Sequence, residues 1–230
     1  MARMSLWSRI TAALAALASG EPLSEVFARL RTPPERSVAF TIAVIGLGAK
    51  MAKADGVVTR NEVAAFRRVF AIPPEEEGHA AHVFNLARQD VAGYDAYARK
   101  IAGMFARDHA MLIDVMEGLF QIATADGSYA DEEDTFLRTV AEIFGLSDRC
   151  FRVLRTRYAG AQCCDPYDIL GVDADAPIAA IRAAWRQAVR DNHPDRLIAR
   201  GVPEEAVQLA QKRLVDINRA WAEITAKQAA

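Results

Sequence analysis

"IRAAWRQAVRDNHPDRLIARGVPEEAVQLAQKRLVDINRAWAEI", residues 181–224, decides the architecture. Ile181, Ala184, Trp185 and Ala188 repeat at i, i+3, i+4 and i+7, the apolar stripe of an amphipathic helix. Ala210, Leu214, Ile217, Trp221 and Ile224 form a second, heptad-like stripe. Pro194 must break the first helix, because the residue before a proline is pushed out of the helical region. Pro203, Glu204 and Glu205 open the second helix in dipole-favoured positions. Two stripes separated by a short connection predict an antiparallel helical hairpin. Asp175 is the expected N-cap of its first helix, with Pro177 in the first turn. The tip carries His193, Pro194 and Asp195, and Arg182, Arg186 and Arg190 share one face at four-residue spacing.

Four readings of the tip are open. A catalytic His–Asp pair has no Ser or Cys nucleophile nearby in sequence, and Pro194 is expected to make the two side chains diverge. A metal site would need more ligands than one His and one Asp supply. A plain turn with a solvated arginine face is the structural alternative. The fourth reading is a docking loop for a partner. On the residues alone, the arginine row reads as a solvated face.

Upstream, helical spacing recurs and strand alternation is absent, so the predicted class is all-α. Thr32, Pro33 and Pro34 open a helix expected to run to about Ala54. Thr59–Glu62 reads as a capping box. Further helices are expected near 75–88, 94–106 and 110–125. Another is capped by Asp131 and closes at Gly145, and the next is capped by Ser147. Two segments repeat: "KADGVVTRNEVAAF" from Lys53 and "TADGSYADEEDTFL" from Thr124. Asp55 matches Asp126 and Glu62 matches Glu133. Two such helix–turn–helix copies predict one compact domain. If they pack about a pseudo-twofold axis, the four carboxylates converge as a hard-cation site for calcium or magnesium. Helix caps are the alternative for the same acids. His79 and His82 beside Glu75–Glu77 form at most a weak metal pair.

The 230-residue chain has a formal net charge of −2, so nothing global points to nucleic acid or an anionic membrane. Three cysteines make no disulfide framework and fit a reducing, cytoplasmic setting. Cys163 and Cys164 are expected as buried thiols in a linker. No Gly-rich phosphate loop is present, so no ATP is expected to bind here. "MARMSLWSRITAALAALASG" carries Arg3, Arg9 and an apolar run, like a weak export signal. The run is short and broken by Thr11, so an Ala-rich helix is expected instead. Val38 to Ala52 contains Lys50 and is also too short to span a bilayer.

The twofold Ala-Asp-Gly turn, each followed by an acidic helix start, resembles the TerB-like family. "FNLARQD", "LFQIATADGSYADEE" and "VAEIFGLS" are similar to the N-terminal domain of DjlA-type proteins, over roughly residues 36–158. The C-terminal segment, about 165–228, resembles a DnaJ-type J-domain. Tyr167, Leu170, Gly171 and Val172 fit its start, Ala176 and Ile181 fit the next helix, and Trp185 stands where the family has tyrosine. His193–Pro194–Asp195 is the family signature, and Ile217, Asn218 and Trp221 fit the last helix. The longer "RLIARGVPEEAVQLAQKRL" that follows is like the DjlA type. A membrane span and a long linker, usual in that type, are missing, so membrane attachment is not carried over. The expected plan is a helical extension at 1–30, a TerB-like domain at 31–158, a linker at 159–164 and a J-domain at 165–230.

The resemblance implies a co-chaperone with no catalysis and no cofactor of its own. His193, Pro194, Asp195, Arg182, Arg186, Arg190 and Arg196 would meet a DnaK-type seventy-kilodalton chaperone and speed its ATP hydrolysis. The TerB-like domain would bind a client, a partner or a second copy of itself. The alternative is a stress-signalling or metal-binding TerB-like protein whose hairpin is a scaffold.

Overall fold

The structure, a computed structural model, describes residues 16, 25, 35–54, 93–105, 108–125, 127–160, 164–199 and 204–229. The described residues hold helices and no strand, so the fold is all-α as expected. The chain divides into two compact units between Gly145 and Leu146.

The first unit contains α1 (Glu35–Ala54), α2 (Tyr94–Phe105), α3 (His109–Ala123) and α4 (Asp131–Ile143), each touching the other three. α1 is buried all round from Ile42 to Met51, which explains an apolar run too short for a membrane: it is a core helix. α3 is buried along most of its length, and Asp108 caps it by accepting from the Met111 amide at 3.3 Å. α2 crosses α1 at Gly46, where an added Cβ would lie 2.5 Å from the Tyr97 ring. The Tyr97 hydroxyl donates to the Ile42 carbonyl at 3.4 Å, satisfying a polar tip that is otherwise buried. α4 is amphipathic and buries Phe136, Leu137, Val140 and Ala141. Its N-cap is Ala130, one residue before the expected Asp131, which starts the helix proper. The second Ala-Asp-Gly turn is realised with Gly127 at φ 85°, a left-handed backbone that glycine adopts without a steric cost.

The second unit contains α5 (Asp148–Ala159), α6 (Pro166–Leu170), α7 (Ile178–Asp191), α8 (Pro194–Ala199) and α9 (Glu204–Ala229). Ser147 caps α5 as expected, accepting from the Cys150 amide at 3.2 Å. Asp165 caps α6, and left-handed Gly171 ends it. The N-cap of α7 is Pro177, not Asp175, which lies in the preceding turn. α7 and α9 form the hairpin: Trp185 meets Trp221 while Asn192 meets Arg213, so residue numbers rise on one helix as they fall on the other. Leu170, Ile181, Ile217, Ala220 and Ile224 make its core, with Trp185 and Trp221 packed alongside. Full burial of each isoleucine contributes about 1.5–3 kcal/mol.

The division at 145/146 places α5 with the hairpin, whereas the sequence plan runs the first domain to residue 158. Charge pairs hold it there. Arg149 reaches Asp168 at 3.0 Å and Asp173 at 2.6 Å, and Arg157 reaches Asp216 of α9 at 2.8 Å. Cys164, expected buried, is half-buried, with its sulfur 3.5 Å from the Val153 carbonyl. Cys163 lies outside the described residues.

Candidate docking site at the hairpin tip

α7 ends on Asp191, and Asn192 closes it twice. Its amide donates to the Ala188 carbonyl at 3.1 Å, and its side-chain Nδ2 donates to the same oxygen at 2.8 Å. The other end of that side chain accepts from Arg213 Nε at 2.9 Å, tying the base of the tip to α9. Pro194 breaks α7 as the sequence predicts, but it also opens α8, a six-residue helix where a loop is expected. Proline suits a first helical position because its missing N–H would be unpaired there anyway. The His193 carbonyl accepts from the amides of Arg196 and Leu197, both at 3.1 Å. Leu197 is buried against Val207 and Ala210 of α9, which pins α8 to the hairpin.

This anchoring turns the signature outward. The side chain of His193 is 51% exposed and that of Asp195 is 89% exposed. Asp195 Oδ2 lies 3.8 Å from His193 Nδ1, beyond hydrogen-bond range, and Nδ1 instead accepts from the Asp195 amide at 3.3 Å. A ring nitrogen used as an acceptor cannot also donate to a carboxylate, so the two side chains are not arranged as a catalytic pair. Among the described residues, no group of three or more His, Cys, Asp or Glu could hold a metal ion.

The four arginines of the candidate docking face differ in what they do. All are exposed. Arg182 lies 5.7 Å over the ring of Trp221, a cation–π contact. Arg190 donates to Gln187 Oε1 at 2.6 Å, and Gln187 Nε2 donates to Asp191 Oδ2 at 2.8 Å. Asp191 Oδ1 then accepts from Arg196 Nη1 at 3.0 Å. Arg190, Gln187, Asp191 and Arg196 thus form one continuous chain of contacts around the tip. Arg186 makes no hydrogen bond or ion pair among the described residues and presents a bare charge. Below them, Trp185 and Trp221 stack at 5.0 Å and 13°, and Trp185 Nε1 donates to Asn218 Oδ1 at 3.1 Å.

Sequence spacing missed Gln187, Asp191, Asn192 and Arg213. The first two were in view as i, i+4 neighbours on α7. The Arg213–Asn192 contact spans 21 residues and leaves no local signal.

Of the candidate cation set, Asp55, Glu62 and Asp126 lie outside the described residues, as do His79 and His82. Glu133 is described, and its Oε2 accepts from the Ala130 amide at 2.9 Å, a helix-capping role. No helix among the described residues is long and apolar enough to cross a membrane.

The model of the family "Tellurite resistance protein TerB" matches residues 41–156. Co-chaperone protein DjlA of Photobacterium profundum is 26% identical over 213 residues, covering 81% of this chain and 77% of that protein. DjlA of Coxiella burnetii is 26% identical over 204 residues, covering 80% and 74%. DjlA of Escherichia coli K12 is 29% identical over 129 residues, covering 46% and 48%. No solved structure matches the chain. With half of its length matched by that family model, and resembling the DjlA co-chaperones over four fifths of it, the chain belongs to the tellurite resistance protein TerB family.

Proposed function

We propose that this protein is a co-chaperone that docks the tip of its α7–α9 hairpin on a DnaK-type chaperone and stimulates ATP hydrolysis there. The observation that carries the reading is the outward presentation of His193 and Asp195 by a tip that is rigidly anchored beneath. Leu197 and Arg213 hold the base, so the exposed groups meet a partner without first having to be ordered. Beside them, Arg182, Arg186 and Arg190 give α7 a positive face suited to an acidic surface. Asp195 has the exposure to form a charge-assisted pair with a partner's arginine, worth about 1.5–3 kcal/mol. The similarity to DjlA co-chaperones supports the same partner class. The chemistry then occurs in the partner, and this chain acts by binding. The TerB unit is the part that engages a client or a second copy.

The reading is tested by binding to an ATP-bound DnaK-type chaperone immobilised on a sensor. Wild type binds and His193→Gln loses most of the affinity while retaining its helical circular dichroism. Binding weakens from about 0.1 M to about 1 M salt, as the screening length falls from roughly 10 to roughly 3 Å. Affinity unmoved by both His193→Gln and salt contradicts it.

A further inference from the structure

We infer that Asp191 is an internal counter-charge for the docking face, and that docking proceeds by exchange of carboxylates at Arg196. The inference rests on the docking reading and adds a residue that restrains it. Arg196 belongs to the basic flank, yet in the free protein its Nη1 is held by Asp191 Oδ1 at 3.0 Å. The second oxygen of Asp191 accepts from Gln187, which in turn holds Arg190. One carboxylate therefore engages one arginine directly and a second through a bridging amide. Both members of the direct pair are partly exposed, so the pair is weak enough to open. A partner carboxylate arriving at Arg196 must displace Asp191, and the freed Asp191 then stands as a like charge beside the incoming acid.

The helix end itself does not call for an aspartate at this position. Asp191 is the last residue of α7, where the helix dipole favours cations and disfavours a carboxylate. Asn192, the next residue, closes the helix without it. Asp191 contributes instead to partner discrimination. It lowers affinity for any acidic surface, and it does so least against a surface that offers Arg196 a better-placed carboxylate than its own. Arg186, which makes no hydrogen bond or ion pair among the described residues, remains available for the first encounter, with Arg196 engaged afterwards.

The test is a double-mutant cycle in the full chain, reading affinity for the ATP-bound DnaK-type chaperone. Asp191→Asn and Asp191→Ala are each measured alone and combined with Arg196→Gln. Removing the carboxylate is expected to tighten binding about two- to fivefold, the range of an exposed ion pair. In the Arg196→Gln background the same substitutions are expected to change nothing. Equal tightening in both backgrounds would make Asp191 a general surface charge and overturn the exchange. Unchanged or weaker binding of Asp191→Ala overturns it as well. Failure of the wild type to bind removes the docking reading and this inference together. Wild-type binding that His193→Gln abolishes, with no gain from Asp191→Ala, removes the inference alone.

Discussion

Replacing Arg157 with methionine tests whether α5 is part of the hairpin unit. The Arg157 side chain is 15% exposed and its partner Asp216 is 35% exposed, with Nε 2.8 Å from Oδ2. The contact is ionic and lacks hydrogen-bond geometry at Nε. Breaking a fully buried pair costs about 3–5 kcal/mol, and an exposed pair contributes about 0–1 kcal/mol. This pair lies between, so a loss of about 1–3 kcal/mol is expected. The flanking arginines calibrate the argument. Arg149 pairs with Asp168 and Asp173 at more exposed positions, so Arg149→Met is expected to move the midpoint less than Arg157→Met does. Arg152 is only 4.0 Å from Asp168 and more exposed still, so Arg152→Met should be near neutral. The assay is urea unfolding followed by tryptophan fluorescence in a Trp7→Phe background. Trp185 and Trp221 then remain, and both lie in the second unit. With a denaturant slope of about 1–2 kcal/mol/M, the midpoint for Arg157→Met falls by about 1 M. Asp216→Asn should give a similar fall, and the two together less than their sum. A midpoint that holds for Arg157→Met, while the core control Ile224→Ala lowers it, would refute the assignment of α5 to this unit.

Other expectations follow from single contacts. Gly46→Ala forces a methyl group onto the Tyr97 ring and should cost about 1–3 kcal/mol in the first unit, read as a lower thermal midpoint; an unchanged midpoint would mean α1 and α2 do not cross there. Trp185→Phe keeps an aromatic ring but removes the donor to Asn218, for about 0.5–1.5 kcal/mol by urea unfolding. A loss as large as the about 3–5 kcal/mol of a buried Trp→Ala change would mean the second ring, not the hydrogen bond, dominates. Asp95 titrates below the ordinary aspartate range, chiefly because the Ala96 amide hydrogen-bonds its carboxylate, with desolvation opposing and Arg99 adding. A carboxyl depressed in the folded state stabilises above its unfolded pKa, and that contribution is lost as pH falls through the folded value. Asp95→Asn should therefore flatten the acid side of the stability profile at α2, measured by amide exchange; an unchanged profile contradicts it.

Periodic features were legible in the sequence because they are local. The stripes through Ile181 and Ile217 predict a hairpin, and both residues lie in its core. Ser147 caps its helix because a serine before a helical run has one obvious use. α8 was not legible: six residues are too few to show a helical period, and only Leu197 marks its buried face. Asp175 looked like a cap because its type is right, but Pro177 fixes the backbone two residues later and delays the helix. The charge pairs between α5 and the hairpin are hidden for a different reason. They join arginines to Asp168, Asp173 and Asp216, pairings that no short window of sequence contains. At the tip, the row of Arg182, Arg186 and Arg190 could be read from spacing, whereas the contact of Asp191 with Arg196 across the break at Pro194 could be found only from geometry.

The account turns on whether the hairpin tip acts on another protein's chemistry. Single-turnover ATP hydrolysis by a DnaK-type chaperone, measured with and without this chain, tests that directly. The account predicts faster hydrolysis with the wild type, little with His193→Gln or Asp195→Asn, and no hydrolysis by this chain alone. An unstimulated rate with the intact, folded wild type would contradict it.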